Sequence, residues 1–330
     1  MRVLIITPSW VGDAVLAHPL LVRLKEHAPS PAIDVLAPPW ALAVFHRMPE
    51  VSEAIALPFG HGDLRLGERR AFARSLPRYD QAIVLPNSFK SALIPWHAEI
   101  PVRTGYRGEM RYGLLNDLRR LDEKALPLMA ERFAALAQPA GETLRPPFPE
   151  PRLQVDTAAR TVALGKFGLD ASRPIAAFAP GAEYGPAKRW PARHFAELGR
   201  LMVERGYQVC LFGSAKDAVI TKEIAAALPG CIDLAGRTTL DEAIDLLSAA
   251  SRVVTNDSGL MHVAAALDRP MTALFGSSSP AFTPPLSRHA RVLSLHLSCS
   301  PCFARTCPLG HTNCLVQLDP ARVLGETETL

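Results

Sequence analysis

Apolar, β-branched runs of strand length recur along this chain with helix-length segments between them, and no other feature constrains the fold as tightly. The runs are Val3–Thr7, Ile33–Ala37, Ala82–Leu85, Ile175–Ala179, Gln208–Phe212, Cys231–Leu234, Arg252–Thr255 and Met271–Phe275. In one intervening segment Leu240, Ala243, Ile244 and Leu247 share a helical face, and Thr239 and Glu242 are spaced as a capping box at its start. Phe195, Leu198, Leu201 and Met202 repeat that stripe after Pro191. Strands that alternate with helices build parallel sheets covered on both faces. The alternation breaks over the proline-rich Leu144–Asp156, which reads as an interdomain linker. The expectation is an α/β chain of two Rossmann-like domains, 1–150 and 151–330, facing a central cleft. Ligands of such sheets bind beyond the carboxyl ends of the strands, so function belongs in the strand-to-helix loops.

Composition removes several classes. Across 330 residues, 48% hydrophobic and 21% charged content excludes a disordered or coiled-coil chain. A net charge of +4 is too mild to imply nucleic acid and suits anionic small molecules. No apolar run approaches the roughly 18–20 residues of a membrane span. The opening MRVLIITPSW reads as a strand rather than a signal peptide, so a cytoplasmic protein is expected.

Three loops carry candidate chemistry. After the first strand, Thr7–Asp13 leads into a helix and places Asp13 at its start. Asp13 is either a carboxylate favoured by the helix dipole or a general base aimed into the cleft. The G-x-G-x-x-G and G-x-x-x-x-G-K-[ST] patterns are both absent, so hydride transfer and triphosphate hydrolysis lose support. In the second half, Asn256-Asp257-Ser258-Gly259 opens a helix containing His262. Free amides there would make an anion site, with Gly259 permitting close approach and His262 donating to a phosphate or ribose; a plain capped helix is the alternative. The loop Pro180–Pro191 ends in Lys188 and Arg189. A lysine beside a helix N-terminus is unfavourable unless an anion such as phosphate compensates it or solvent takes it up. A base on one side and a phosphate cradle on the other are what an inverting sugar-nucleotide transferase requires.

The blocks PSWVGDAV, PGAEYGPAKRWP, VTNDSGLMHVAAALDRP and FGSSSPAFTPPLS resemble the ADP-heptose–lipopolysaccharide heptosyltransferases of glycosyltransferase family 9, those of the second transfer step most closely. The resemblance spans nearly the whole chain and implies the GT-B fold. It implies inverting transfer of L-glycero-D-manno-heptose from ADP-heptose to the first heptose of the lipopolysaccharide inner core. By position, Asp13 matches the catalytic base, and Lys188 the lysine on the donor phosphates. Asp257, Ser258, Gly259 and His262 match the donor loop, Asp217 the ribose-holding acid, and Thr238 the adenine edge. Asp217 stands where related enzymes carry Glu, so its reach differs. Acceptor handling falls to the first domain, where Lys90, Arg103, Arg107 and Arg111 either attract an acidic, phosphorylated acceptor or form a solvated basic face. The resemblance also implies a cytoplasmic enzyme peripheral to the inner membrane, in transient contact with its cytoplasmic face. No DxD-like diphosphate site stands out, so no cofactor is expected for transfer. Three alternatives stay open: another core step (the first or third transfer), a non-catalytic sugar-nucleotide binder, and a nucleotide-sugar epimerase.

Four of the six cysteines lie in Cys299-x2-Cys302-x4-Cys307-x6-Cys314, with His311 inside the window. In a cytosolic chain such clustering suggests either a structural zinc, held by four sulfurs or by three with His311, or plain buried thiols. The cluster is far in sequence from the candidate loops, so any metal is expected to staple the C-terminal excursion without joining the chemistry. Cys210 and Cys231 read as core residues within strands, and Asp319–Leu330 leaves room for one closing helix.

Overall fold

A computed structural model describes residues 1–27, 31–60 and 62–330. The chain divides into two compact units, Met1–Pro151 and Arg152–Leu330, and the division falls inside the proline-rich segment. The first unit contains β1 (Arg2–Ile6), β2 (Ala32–Ala37), β3 (Glu53–Ala56), β4 (Gln81–Val84), β5 (Val102–Tyr106) and β6 (Asp117–Arg119). These form one parallel sheet in the order β3-β2-β1-β4-β5-β6. The second unit contains β7 (Ile175–Ala179), β8 (Gln208–Leu211), β9 (Ile232–Asp233), β10 (Arg252–Asn256), β11 (Met271–Leu274) and β12 (Ala290–Leu293). Its parallel order, β12-β11-β10-β7-β8-β9, repeats the same scheme. In each sheet the winding direction reverses between the first and fourth strands, β1/β4 and β7/β10. A crevice opens at such a switch point because the two following loops diverge to opposite faces.

The apolar runs become the sheet interiors. Val3, Leu4 and Ile5 are fully buried, as are Ala176, Ala177 and Phe178. Helix Ala192–Glu204 covers one face of the second sheet with Phe195, Leu198 and Met202 and packs on Phe178, Leu211 and Val254. Each such side chain contributes roughly 1.5–3 kcal/mol by leaving water. Leu201 lies at the margin of that face and is only half-buried. Helix Leu240–Ser248 starts at the expected capping box, with Thr239 Oγ1 accepting from the Glu242 amide at 3.2 Å and Glu242 accepting from the Thr239 amide at 2.9 Å. Helix Pro320–Glu328 closes the chain, capped by Asp319.

Four strands, β3, β5, β6 and β12, are absent from the sequence expectation. Three of them are sheet edges, and all four carry charge (Glu53, Arg103, Asp117, Arg119, Arg291), which breaks the apolar run that marks a central strand. Thr7, Leu85, Phe212 and Phe275 lie one residue past their strands, yet each amide still bonds a neighbouring carbonyl. Cys210 sits in β8, fully buried, and burial pushes its thiol up to about 12. Cys231 differs from expectation: it precedes β9 and is half-buried.

Candidate active site

The second unit brings its candidate residues together at the β7/β10 switch point. Asn256, the last residue of β10, is completely buried and ties the two loops to each other. Its Nδ2 donates to Pro180 O at 2.7 Å, and its Oδ1 accepts from the Trp190 amide at 3.1 Å. Both ends of the Pro180–Pro191 loop are thereby fixed against the start of the next loop. Trp190, itself fully buried, donates its indole N–H to Leu318 O. Between these anchors Lys188 projects its Nζ to Asp257 Oδ2 at 2.6 Å, with side-chain exposures of 17% and 6%. Ser278 Oγ donates to the same carboxylate oxygen. The anion that the sequence requires beside Lys188 is therefore, in the protein itself, the Asp257 carboxylate. A lysine ammonium carries three donors, so two stay available for a phosphate while Asp257 holds the third.

Ser258 occupies the N-cap position of helix Gly259–Ala266, but its side chain does not cap the helix. It lies 3.3 Å from Thr255 Oγ1 instead. The first-turn amides have no side-chain cap beside Lys188 and Asp257, the local arrangement that attracts anions. His262, one turn into this helix, is buried, and burial foremost pulls its pKa down to about 4; Asp257 opposes that shift and Lys188 adds to it. The imidazole is therefore neutral near pH 7, with one N–H to donate.

Asp217 reaches the same region from β8. It accepts from Ser214 N at 2.9 Å and Ser214 Oγ at 2.8 Å, and a Cβ on Gly181 would come within 2.4 Å of its carboxyl carbon. Gly181 is thus glycine because the carboxylate occupies the space beside the end of β7. Lys216 pairs with Glu183 at 2.6 Å and further joins these loops. Thr238 is half-buried in the turn after β9. That turn packs on the Asp217 loop, where the Gly236 amide bonds Gly213 O at 3.0 Å and a Cβ on Gly236 would meet Ala215 Cα at 2.9 Å.

In the first unit, Asp13 sits in the first turn of helix Val11–Leu16 after β1, half-buried. Lys90 lies in the first turn of helix Phe89–His97 after β4, so the two flank the β1/β4 switch point. Arg107 is exposed, its guanidinium 5.6 Å from the Tyr112 ring centre. The two other arginines correct the picture of a basic face. Arg111 is only 1% exposed and donates to Pro86 O, Asn87 Oδ1 and Tyr106 O. Arg103 donates to Leu114 O and Ile100 O, each at 2.6 Å. Both guanidiniums are occupied with shaping their own loops, and burial holds both below the ordinary arginine range. Sequence reasoning missed Asn256 and Ser278; the NDSG and GSSSP blocks contain them but do not show which side chain turns inward.

The cysteine segment, distant in sequence from the candidate loops, packs directly on one of them. Tyr184 Oη donates to Phe303 O at 2.8 Å, and the Ala187 amide donates to Arg305 O at 3.1 Å.

The sequence profile described as Glycosyltransferase family 9 (heptosyltransferase) matches residues 69–313. Lipopolysaccharide heptosyltransferase 2 of Salmonella typhimurium is 52% identical over 342 aligned positions, covering 100% of this chain and 98% of the relative. The same-named protein of Escherichia coli is 51% identical with the same coverage. The solved structure of E. coli ADP-heptose LPS heptosyltransferase II superposes with a TM-score of 0.91 at 49% identity, over 100% of this chain and 98% of that one. The two Rossmann-like units are of the GT-B class. With the profile spanning most of the chain and the relatives all of it, the chain belongs to glycosyltransferase family 9, the heptosyltransferases.

Proposed function

We propose that this chain transfers L-glycero-D-manno-heptose from ADP-heptose to the first heptose of the lipopolysaccharide inner core, with inversion. The observation that carries the reading is the Lys188–Asp257 pair, held at the β7/β10 switch point beside a helix start without a side-chain cap. Full-length identity to heptosyltransferase 2 proteins supports the substrate pair. Lys188 and the amides of Gly259 and Leu260 bind the diphosphate, Asp257 and Ser278 orient the lysine, and neutral His262 donates one hydrogen bond. Asp217 takes the ribose hydroxyls, and Thr238 lines the adenine side. Asp13 accepts the proton of the acceptor hydroxyl as its oxygen attacks the anomeric carbon opposite the leaving ADP. That oxygen–carbon bond forms while the carbon–phosphate-oxygen bond breaks, and the leaving charge falls on the lysine and the helix amides. Because these groups supply the positive charge, turnover is expected to be the same with and without added Mg2+.

Lys90 and Arg107 meet the acidic acceptor. Trp10, Trp40, Met110 and Tyr112 are exposed on loops at the carboxyl ends of the first sheet's strands, with Trp40 Nε1 bonded to Ser9 O at 2.8 Å. Aromatic and basic groups together suit a transient contact with the anionic cytoplasmic face of the inner membrane. Among the described residues no helix is long and apolar enough to cross a membrane. The test is incubation of purified protein with ADP-heptose and cores truncated at defined heptoses, read by mass spectrometry. Transfer onto the core bearing a single heptose is expected. Transfer only onto a heptose-free core, or ADP-heptose binding with no product on any core, overturns this assignment.

A further inference from the structure

The four clustered thiols and His311 line a single pocket whose wall also includes Ala187, the residue before Lys188. Four features make it a site rather than a chance grouping. None of these cysteines is in a disulfide. The Gly310 amide donates to Cys307 O at 3.1 Å, a tight turn that brings Cys307 and His311 to the same pocket wall. Ser277 is 1% exposed, lines the same pocket, and its Oγ has no partner. Finally, His311 Nδ1 accepts from the Asn313 amide at 3.0 Å, which leaves the proton on Nε2. In that tautomer neither ring nitrogen offers a lone pair to a metal, so the candidate ligand set is the four sulfurs.

The segment that bears the thiols is built onto the Lys188 loop at several points. Phe303 and Arg305 accept from Tyr184 and Ala187, and the Arg305 guanidinium lies 4.9 Å from the Tyr184 ring centre. Gly185 must be glycine, since a Cβ there would fall 2.4 Å from Arg305 O. Lys188 Nζ is itself 5.0 Å from that same Tyr184 ring. On the other flank the Phe303 amide bonds Ser277 O at 2.6 Å, next to Ser278, which donates to Asp257. Anything that orders residues 299–314 therefore orders both supports of the Lys188–Asp257 pair.

We propose that Cys299, Cys302, Cys307 and Cys314 form a structural zinc site whose occupancy fixes the loop carrying Lys188. Among the described residues no three of these groups already close on one coordination centre, so binding requires the four thiols to converge from the pocket wall. Binding forms four sulfur–zinc bonds of about 2.3 Å and releases four thiol protons to solvent. Zinc suits the set because four thiolates are soft ligands that match its tetrahedral coordination.

The zinc-binding part of this proposal stands independently; the link to ligand affinity rests on reading Lys188 as the donor-phosphate group. The experiment uses the full chain, purified without chelator, with zinc measured by mass spectrometry and ADP affinity by calorimetry. About one zinc per chain is expected, falling to near zero in Cys302→Ser and Cys307→Ser and unchanged in Cys231→Ser. Because Cys302 is exposed, its serine variant is expected to stay folded, which circular dichroism checks. Stripping zinc is expected to weaken ADP binding roughly tenfold, and Zn2+ added back restores it with proton release. Absence of zinc even after Zn2+ addition, with four freely alkylated thiols or a Cys299–Cys302 disulfide, overturns the site. Bound zinc with equal ADP affinity in both forms overturns the coupling. Bound zinc in a protein that never binds ADP overturns the reading of Lys188 and leaves the metal site standing.

Discussion

Replacing Lys188 with Met separates what this lysine does for the fold from what it does for the ligand. Its ammonium lies 2.6 Å from Asp257, and the two side chains retain only 17% and 6% of their exposure. At that separation and an effective dielectric constant of ~20, the direct attraction is about 6 kcal/mol, most of it offset by desolvation of both ions. Breaking a fully buried pair costs roughly 3–5 kcal/mol, because the surviving charge is left in a poor solvent. Ser278 still donates to the orphaned carboxylate and Lys188 is partly solvated, so about 2–3 kcal/mol is expected for Lys188→Met. The double variant Lys188→Met, Asp257→Asn removes the orphan charge and should recover to within about 1 kcal/mol of the natural protein. Its ADP affinity should stay as low as that of the single variant, since the phosphate has lost its cation in both. Urea unfolding can be followed at the blue edge of tryptophan emission. Trp190 is the one tryptophan of the second unit and is fully buried, whereas Trp10, Trp40 and Trp96 are 44–52% exposed. A single variant as stable as the natural protein, or a double variant that regains ADP affinity along with stability, would refute the reasoning.

Three further outcomes follow from the same geometry. Asp13→Asn should keep ADP-heptose affinity while kcat falls by about 10²–10⁴, the usual contribution of a positioned base, and near-natural turnover in single-turnover assays would remove Asp13 from that role. Gly181→Ala places a methyl group 2.4 Å from the Asp217 carboxyl carbon, so the carboxylate must move. ADP binding measured by calorimetry should weaken by roughly 10–100-fold, the equivalent of one charged hydrogen bond, while unchanged affinity would show that Asp217 does not hold the ribose. His262 has its folded pKa pulled down to about 4 by burial, so the unfolded chain binds the extra proton first as pH falls below its ordinary value near 6.5. Its contribution is complete above that pH and shrinks through the window down to about 4, by on the order of 3 kcal/mol. Urea midpoints of His262→Gln should therefore decline less between pH 7 and about 4 than those of the natural protein; identical slopes would contradict the burial argument.

How much was legible in the sequence depended on how local the signal was. The Thr239–Glu242 box, the Phe195–Met202 stripe and the central strands were readable because each is written within one or two turns of chain. Arg103 and Arg111 were readable only as positive charge. Their burial depends on carbonyls such as Pro86 O and Leu114 O, which are brought within reach by the parallel pairing of β4 with β5 and which no spacing rule reports.

The sequence by itself determined two parallel-sheet units, the loops that carry polar chemistry and the helices that follow them. Periodicity records which face of each element avoids water, and that is a local property. Only the tertiary structure decided who meets whom. Lys188 finds Asp257 because β10 lies against β7 rather than against β9, and Gly185 admits the carbonyl of Arg305 because the cysteine segment folds back across the sheet. Strand order is fixed by the competition of all the faces for one core, so the partners of a buried charge emerge only once every face has been placed.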